Sequence, residues 1–266
     1  MKKRGFTLVE LLAVLVLIAT ISLIIFPSII NYINSSKGDI NETTKQLIIT
    51  SANQYLDDKF GQKLNTTACF NIQTLIDNEY LEKSTIKNQA GNIDPNYTYI
   101  QAAYAIDPEL KTEKYIIKIV TKCVVYGDVN LDGKVDSSDF DTLKKYVKGQ
   151  TNLSEESLIN ADITLDGKVD VIDLAVLNAK TSSTPFLDKL PFSIDSDKFK
   201  FGDLNSDDKV TTEDATIAAR YDASIYDLTP LQKISGDVNL DGSLDIRDSL
   251  IITNYINNNK TLPQID

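Results

Sequence analysis

The chain opens on an unbroken apolar run, Phe6 to Phe26, whose only charged residue is Glu10. As a helix, a run of this length rises about 30 Å, the thickness of a bilayer core. After Pro27 the pattern becomes periodic. Ile48, Ala52, Tyr55 and Lys59 recur at helical spacing with Leu56 beside them, which predicts an amphipathic helix continuing to Lys59. A weak point falls near Ser35 to Gly38, and Gly61 is the predicted stop. A short helix is predicted over Ile72 to Glu82, and two strands over Tyr97 to Ile106 and Lys114 to Tyr126, both rich in β-branched and aromatic residues. From Asp128 onward an acidic loop followed by a helix with apolar residues on one face occurs four times. Those faces carry Phe140, Leu143 and Val147; Leu174 and Leu177; Ile217; and Ile251, Ile252 and Tyr255.

The four loops are DVNLDGKVDSSD (Asp128–Asp139), DITLDGKVDVID (Asp162–Asp173), DLNSDDKVTTED (Asp203–Asp214) and DVNLDGSLDIRD (Asp237–Asp248). Their spacing is that of a 12-residue calcium loop, with side-chain oxygens at positions 1, 3 and 5, a backbone carbonyl at 7, a group at 9 that often acts through water, and a closing carboxylate at 12. In loop 1 the candidates are Asp128, Asn130, Asp132, Lys134 through its carbonyl, Asp136 and Asp139. In loop 2 they are Asp162, Thr164, Asp166, Lys168, Asp170 and Asp173, with Thr164 a weaker ligand. In loop 3 they are Asp203, Asn205, Asp207, Lys209, Thr211 and Asp214. Asp208 stands there where position 6 calls for glycine, so this loop departs furthest from the pattern. In loop 4 they are Asp237, Asn239, Asp241, Ser243, Asp245 and Asp248. One such loop alone reads equally as an acidic, solvated turn. Four in register point to a cation, up to four ions in all.

Composition narrows the cation. The chain has no histidine, so its metal donors are mainly oxygens, which favours calcium over zinc. A net charge of −11 repels nucleic acid, and none is expected as a partner. The three basic residues Lys2, Lys3 and Arg4 stand in front of the apolar run and would stay in the cytoplasm, so the rest of the chain is expected to be exported. A cleavable signal peptide fits poorly, because the run is long and no small-x-small site follows it. A plain membrane anchor leaves Glu10 unexplained, since a lone carboxylate in lipid needs a partner. In an exported chain the only two cysteines, Cys69 and Cys123, most simply form one disulfide, with two separate thiols as the alternative.

The KKRG-FTLVE opening followed by an apolar helix resembles the prepilin signal of type IV pilins and pseudopilins. The resemblance implies cleavage after Gly5 by a prepilin peptidase and methylation of the new N-terminus at Phe6. It also implies pairing of Glu10 with the terminal amine of a neighbouring subunit, which would neutralise the carboxylate in a filament core. Pro27 matches the family's helix-bending proline. Long helix, connecting segment and antiparallel strands follow the pilin order. Loss of residues 1–5 leaves 24 basic against 38 acidic residues, a net −14, which four calcium ions would bring to −6.

The loops come in pairs: Asp128 to Asp162 and Asp203 to Asp237 are both 34 positions, while the gap between pairs is 41. Each ends in Asp and is followed by a helix, and a short connecting helix is predicted inside each pair, from Ser154 and from Thr229-Pro230. Val135 with Val169, and Val210 with Leu244, are expected to pair between loops. These pairs resemble type I dockerin repeats, which dock onto cohesin modules in a calcium-dependent way. The resemblance assigns partner choice to loop positions 10 and 11: Ser137 and Ser138, Val171 and Ile172, Thr212 and Glu213, Ile246 and Arg247. These differ between the two loops of each module, against a symmetric, two-way docking.

The expected fold is an α+β pilin-like head on a long N-terminal helix, followed by small all-α loop–helix (F-hand, dockerin-like) calcium modules. The expected units are a leader 1–5, a long helix 6–59 with its membrane or filament core at 6–30, a head 60–125, module 1 at 126–180, a linker 181–200, and module 2 at 201–260. The expected role is that of a structural, minor subunit of a type IV pilus or related filament, displaying the modules for docking or adhesion. The alternative is a pseudopilin of a secretion or DNA-uptake system whose calcium loops only stabilise the exposed domain. Expected partners are other pilin subunits, a prepilin peptidase, a cohesin-bearing protein, and the membrane before assembly. The expected location is the cytoplasmic membrane as a single pass with the N-terminus inside, then an extracellular pilus. No paired catalytic carboxylates lie outside the loops, so no enzyme is expected.

Overall fold

A computed structural model describes residues 41–87, 93–258 and 261–264. The predicted leader, the apolar helix with Phe6 and Glu10, and the weak point near Ser35 lie outside the described residues. No helix among the described residues is long and apolar enough to cross a membrane.

Helix α1 (Glu42–Phe60) starts at Asn41, whose side chain accepts the Thr43 N–H at 2.9 Å. It stops at Gly61, where φ is +68°. Its buried stripe is Thr44, Ile48, Ala52 and Leu56, spaced four apart, while Lys59 is exposed and Tyr55 half-buried. The stripe thus runs through Leu56 rather than through the predicted Tyr55 and Lys59. A lysine at the helix end keeps its ammonium in water.

Three antiparallel strands form one sheet in the order β1 (Thr67–Asn71), β2 (Tyr99–Ile106), β3 (Glu113–Val120). Strand β1 was not predicted: five residues, TACFN, are too short to show an alternation. Helix α2 (Ile72–Asp77) is shorter than predicted, because Glu79 takes a left-handed φ of +64° and the chain turns before a separate α3 (Lys83–Lys87). Strand β3 ends at Val120 instead of Tyr126. Cys69 on β1 is bonded to Cys123, with Cα atoms 5.9 Å apart. Since β2 lies between β1 and β3, the segment after β3 must leave the sheet edge and cross β2 to reach Cys69. Accordingly, the Val124 N–H donates to Gln101 Oε1 of β2 at 3.0 Å.

Strand β2 is buried on both faces, as its near-continuous apolar run YIQAAYAI requires. Ile100, Ala102 and Tyr104 face the side covered by α1, with Ile48 and Leu56 among their neighbours. Ala103 and Ala105 face the other way and pack with Tyr126 and Leu165 of the loop region.

The C-terminal half contributes α4 (Ser137–Val147), α5 (Glu155–Ala161), α6 (Val171–Thr181), α7 (Thr212–Asp222), α8 (Pro230–Gly236) and α9 (Ile246–Asn258). The connecting helices α5 and α8 start at Ser154 and Thr229 as read from the sequence, with Pro230 in the first turn of α8. Helix α4 packs on α6, and α7 on α9. Helix α6 is the most enclosed, with Asp173 through Ala179 all buried. Its core includes Ile234 and Leu240 from the second loop pair, so the two pairs share a core. The predicted linker is packed as well. Leu187 and Ile194 are buried, and Ser193 bonds the head twice, accepting from Ile106 N–H and donating its own N–H to Asn65, each at 2.9 Å.

Candidate calcium loops

Every loop begins on a buried aspartate and ends on one that is fully buried. In loop 1, Asp128 Oδ2 accepts the Gly133 N–H at 3.1 Å. Asn130, Asp132 and Asp136 each accept the N–H two residues on, from Asp132, Lys134 and Ser138, all at 2.9 Å. Such side-chain-to-backbone bonds turn the chain back on itself at each step. Asp139 gathers the two ends of the loop: Oδ1 accepts from Val129 (2.8 Å) and Asn130 (3.0 Å), and Oδ2 from Asp136 (2.9 Å). Asp136 and Asp139 are thereby the capping box of α4. Asp170 with Asp173, and Thr211 with Asp214, cap α6 and α7 in the same way. In loop 4, Asp245 N–H donates to Asp248 Oδ2 at 3.0 Å. The position-7 residues Lys134, Lys168, Lys209 and Ser243 each donate their N–H to the position-5 aspartate.

Position 6 is left-handed in all four loops, and Asp208 adopts φ +67° where the others have glycine. Position 4 is left-handed too, at Leu131, Leu165, Ser206 and Leu240, a conformation that costs such residues about 1 kcal/mol each. Sequence reasoning missed position 4, because leucine carries no turn signal. It also missed two struts. Asn160 donates to the Asp128 carbonyl and Ser235 to the Asp203 carbonyl, each at 2.8 Å. The same 32-residue separation in both pairs was the available signal.

The loops differ in what sits beside their carboxylates. In loop 1, Asp128 Oδ1 is buried with no hydrogen-bond partner. In loop 2, Asp162 Oδ2 lies 3.5 Å from Lys118 Nζ on β3, and Thr164 donates its hydroxyl to Asp173 at 3.0 Å. In loop 3, Lys200 Nζ stands 3.7 Å from Asp208. In loop 4, the Arg247 guanidinium spans Asp241 (2.7 Å) and Asp245 (2.6 Å), although its side chain is 60% exposed. Sequence reasoning had assigned Arg247 to partner contact alone.

Burial pushes the carboxyls of Asp173, Asp237 and Asp248 up to about 7, and raises Asp162 against the opposing pull of Lys118. A carboxylate forced this far from water is short of positive charge. Among the described residues no three acidic or cysteine side chains are drawn around one point as a finished metal cluster. The donor set still fits a hard cation. It consists of oxygens only, repeats four times, and includes the partnerless, buried Asp128 Oδ1.

Of the residues expected to select a partner, Ser137, Ser138, Thr212, Glu213, Ile246 and Arg247 are exposed. Val171 and Ile172 are half-buried against the core around α6.

The chain matches the dockerin type I domain family over residues 126–180 and again over 201–257, and the prokaryotic N-terminal methylation motif over residues 1–26. A search of curated proteins returns no match. Dockerin domains are calcium-binding, which agrees with the oxygen donors of the loops. The chain therefore joins a prepilin-type N-terminal methylation motif to two dockerin type I domains.

Proposed function

We propose that the chain is a structural, minor subunit of a type IV pilus or related filament that displays its dockerin modules outside the cell for calcium-dependent docking of a cohesin-bearing protein. It acts as a tether and catalyses no reaction. The N-terminal motif supports processing after Gly5 and assembly through the apolar helix, with passage through the membrane before incorporation.

The observation that carries the docking half is an exposed apolar row on α9. Ile246 is 48% and Leu250 58% exposed, one helical turn apart, at the start of the helix that follows loop 4. Burial of Ile252 and Val238 holds that helix in place beneath them. The alternative, a pseudopilin whose loops only brace the exposed domain, is favoured by the shared core around α6, which uses calcium-loop residues as internal structure.

The test has two parts. Filaments sheared from the producing cells are digested and searched for a peptide beginning at N-methylated Phe6. The purified chain is then titrated with cohesin modules encoded by the same cells, in calcium and in chelator. Calcium-dependent binding that is lost in Leu250→Asp supports docking. Incorporation into filaments without binding to any cohesin leaves the bracing role.

A further inference from the structure

We propose that Lys118, on strand β3 of the head, is the resident cation of loop 2, so that Asp162–Asp173 clasps the head to module 1 instead of holding calcium. The inference rests on reading the loops as calcium sites. It concerns which of them the protein fills with its own charge.

Asp128 and Asp162 are equivalent residues, 34 positions apart, and both are buried. Each gives one carboxylate oxygen to the glycine N–H at position 6, from Gly133 at 3.1 Å and from Gly167 at 3.4 Å. They differ in the other oxygen. Asp128 Oδ1 has no partner, whereas Asp162 Oδ2 faces the Lys118 ammonium. A calcium ion arriving at Asp162 would meet a positive charge already held a few ångströms away, and like charges so close disfavour each other.

Position 3 tells the same story. Asn130, Asn205 and Asn239 are asparagines whose side-chain oxygen accepts the position-5 N–H. In loop 2 the residue is Thr164, buried, with its hydroxyl hydrogen given to Asp173. A hydroxyl oxygen is a weaker calcium ligand than the amide oxygen that Asn130, Asn205 and Asn239 carry at this position.

The third observation is the plug. Leu131 of loop 1 is 38% exposed, but Leu165, its counterpart, is 3% exposed and packs with Ala103, Ala105 and Tyr126. Lys118 is on the matching face of the sheet. It stands opposite Gln101 in register, and Gln101 shares its face of β2 with Ala103 and Ala105. Apolar plug and ion pair therefore seat loop 2 on the head from neighbouring positions.

The test counts calcium bound by the full chain in detergent, by equilibrium dialysis and calorimetry, and measures thermal stability with and without calcium. Asp132→Asn in loop 1 is the control and should lose one ion. Asp166→Asn in loop 2 should lose none. Lys118→Met should gain one ion, or raise loop 2 affinity by about tenfold or more, and the gain should vanish in Lys118→Met/Asp166→Asn. Lys118→Met should also melt lower than wild type without calcium and recover when calcium is added, while Lys118→Arg behaves as wild type. The proposal is overturned if Asp166→Asn costs the wild-type chain an ion, or if Lys118→Met binds calcium as wild type does. If Asp132→Asn loses nothing, the calcium reading of loop 1 fails separately, and the gain in Lys118→Met still decides the role of Lys118.

Discussion

The aspartate at loop position 12 does two jobs at once, since it caps a helix and lies inside the protein. In loops 2 and 4 burial makes ionisation of this residue costly and pushes Asp173 and Asp248 up to about 7, with Asp237 of loop 4 beside them. In the unfolded chain these groups ionise near 4. Between about pH 4 and 7 the calcium-free folded chain therefore holds protons that the unfolded chain has released, and stability falls as pH rises. Asp107, held low by Lys114, and Asp245, held low by Arg247, lose their contribution only as pH falls below about 4, outside this window. At Asp237 and Asp248 calcium favours the ionised form and reverses the trend. We expect the melting temperature of calcium-stripped protein to drop from about pH 5 to pH 7.5, and the calcium-induced rise to be larger at the upper end. A flat profile in stripped protein would remove burial as the cause. Arg247 gives a second expectation. Its bonds to Asp241 and Asp245 are those of an exposed, solvent-screened ion pair, and calcium must displace them. Arg247→Ala should strengthen calcium binding at loop 4 by up to about fivefold by calorimetry. Weaker binding would mean that the arginine organises the loop.

Among the elements, α6 and α9 occupy equivalent places after the second loop of each pair, yet one of their faces is treated differently. Leu177 of α6 and its counterpart Ile252 of α9 are both fully buried, but Ala175 of α6 is buried where its counterpart Leu250 faces water. Leu177→Ala should cost about 2–5 kcal/mol in denaturant unfolding, and Leu250→Ala should stay within about 0.5 kcal/mol. Equal costs would refute the difference in packing. This asymmetry was illegible in the sequence, because VIDLAVL and IRDSLII both give a helix with an apolar face, and neither says what lies against it. What was legible depended on local chemistry. The loop spacing, the Ser154 and Thr229 helix starts and the Gly61 stop are each written in a few adjacent residues, and the cysteine pair followed from export. Strand β1 was too short to register, and the end of β3 is set by the disulfide crossing rather than by any breaker. The pairing of Lys118 with Asp162 links positions 44 apart, which no local pattern reports.

Over the whole molecule, the second loop of each pair ties one unit to the one before it. Leu165 of loop 2 seats on the sheet, and Leu240 of loop 4 is buried in the core around α6. Asn178 of α6 donates to Asp237 at 3.3 Å, and Ser193 bonds both Ile106 and Asn65 of the head. Small side chains make the first junction possible. Ala103 and Ala105 let a loop approach the central strand, which is then covered on both faces, by α1 and by module 1. Head and modules should consequently unfold together, since separating them exposes both β2 and α6. Calorimetry of the calcium-loaded chain should show one main transition. Ala103→Leu adds volume under Leu165 without touching a loop ligand. Overpacking of this kind costs about 1–3 kcal/mol and, at a junction, falls on the contact between units more than on either unit's interior. The variant should show a separate, earlier head transition while binding as many calcium ions as wild type. If it instead loses calcium and melts in a single step, the junction and the loops are one structure and the position of Leu165 is set from within loop 2. Two transitions in the wild-type chain would mean that the head and the modules are joined too weakly to act as one body.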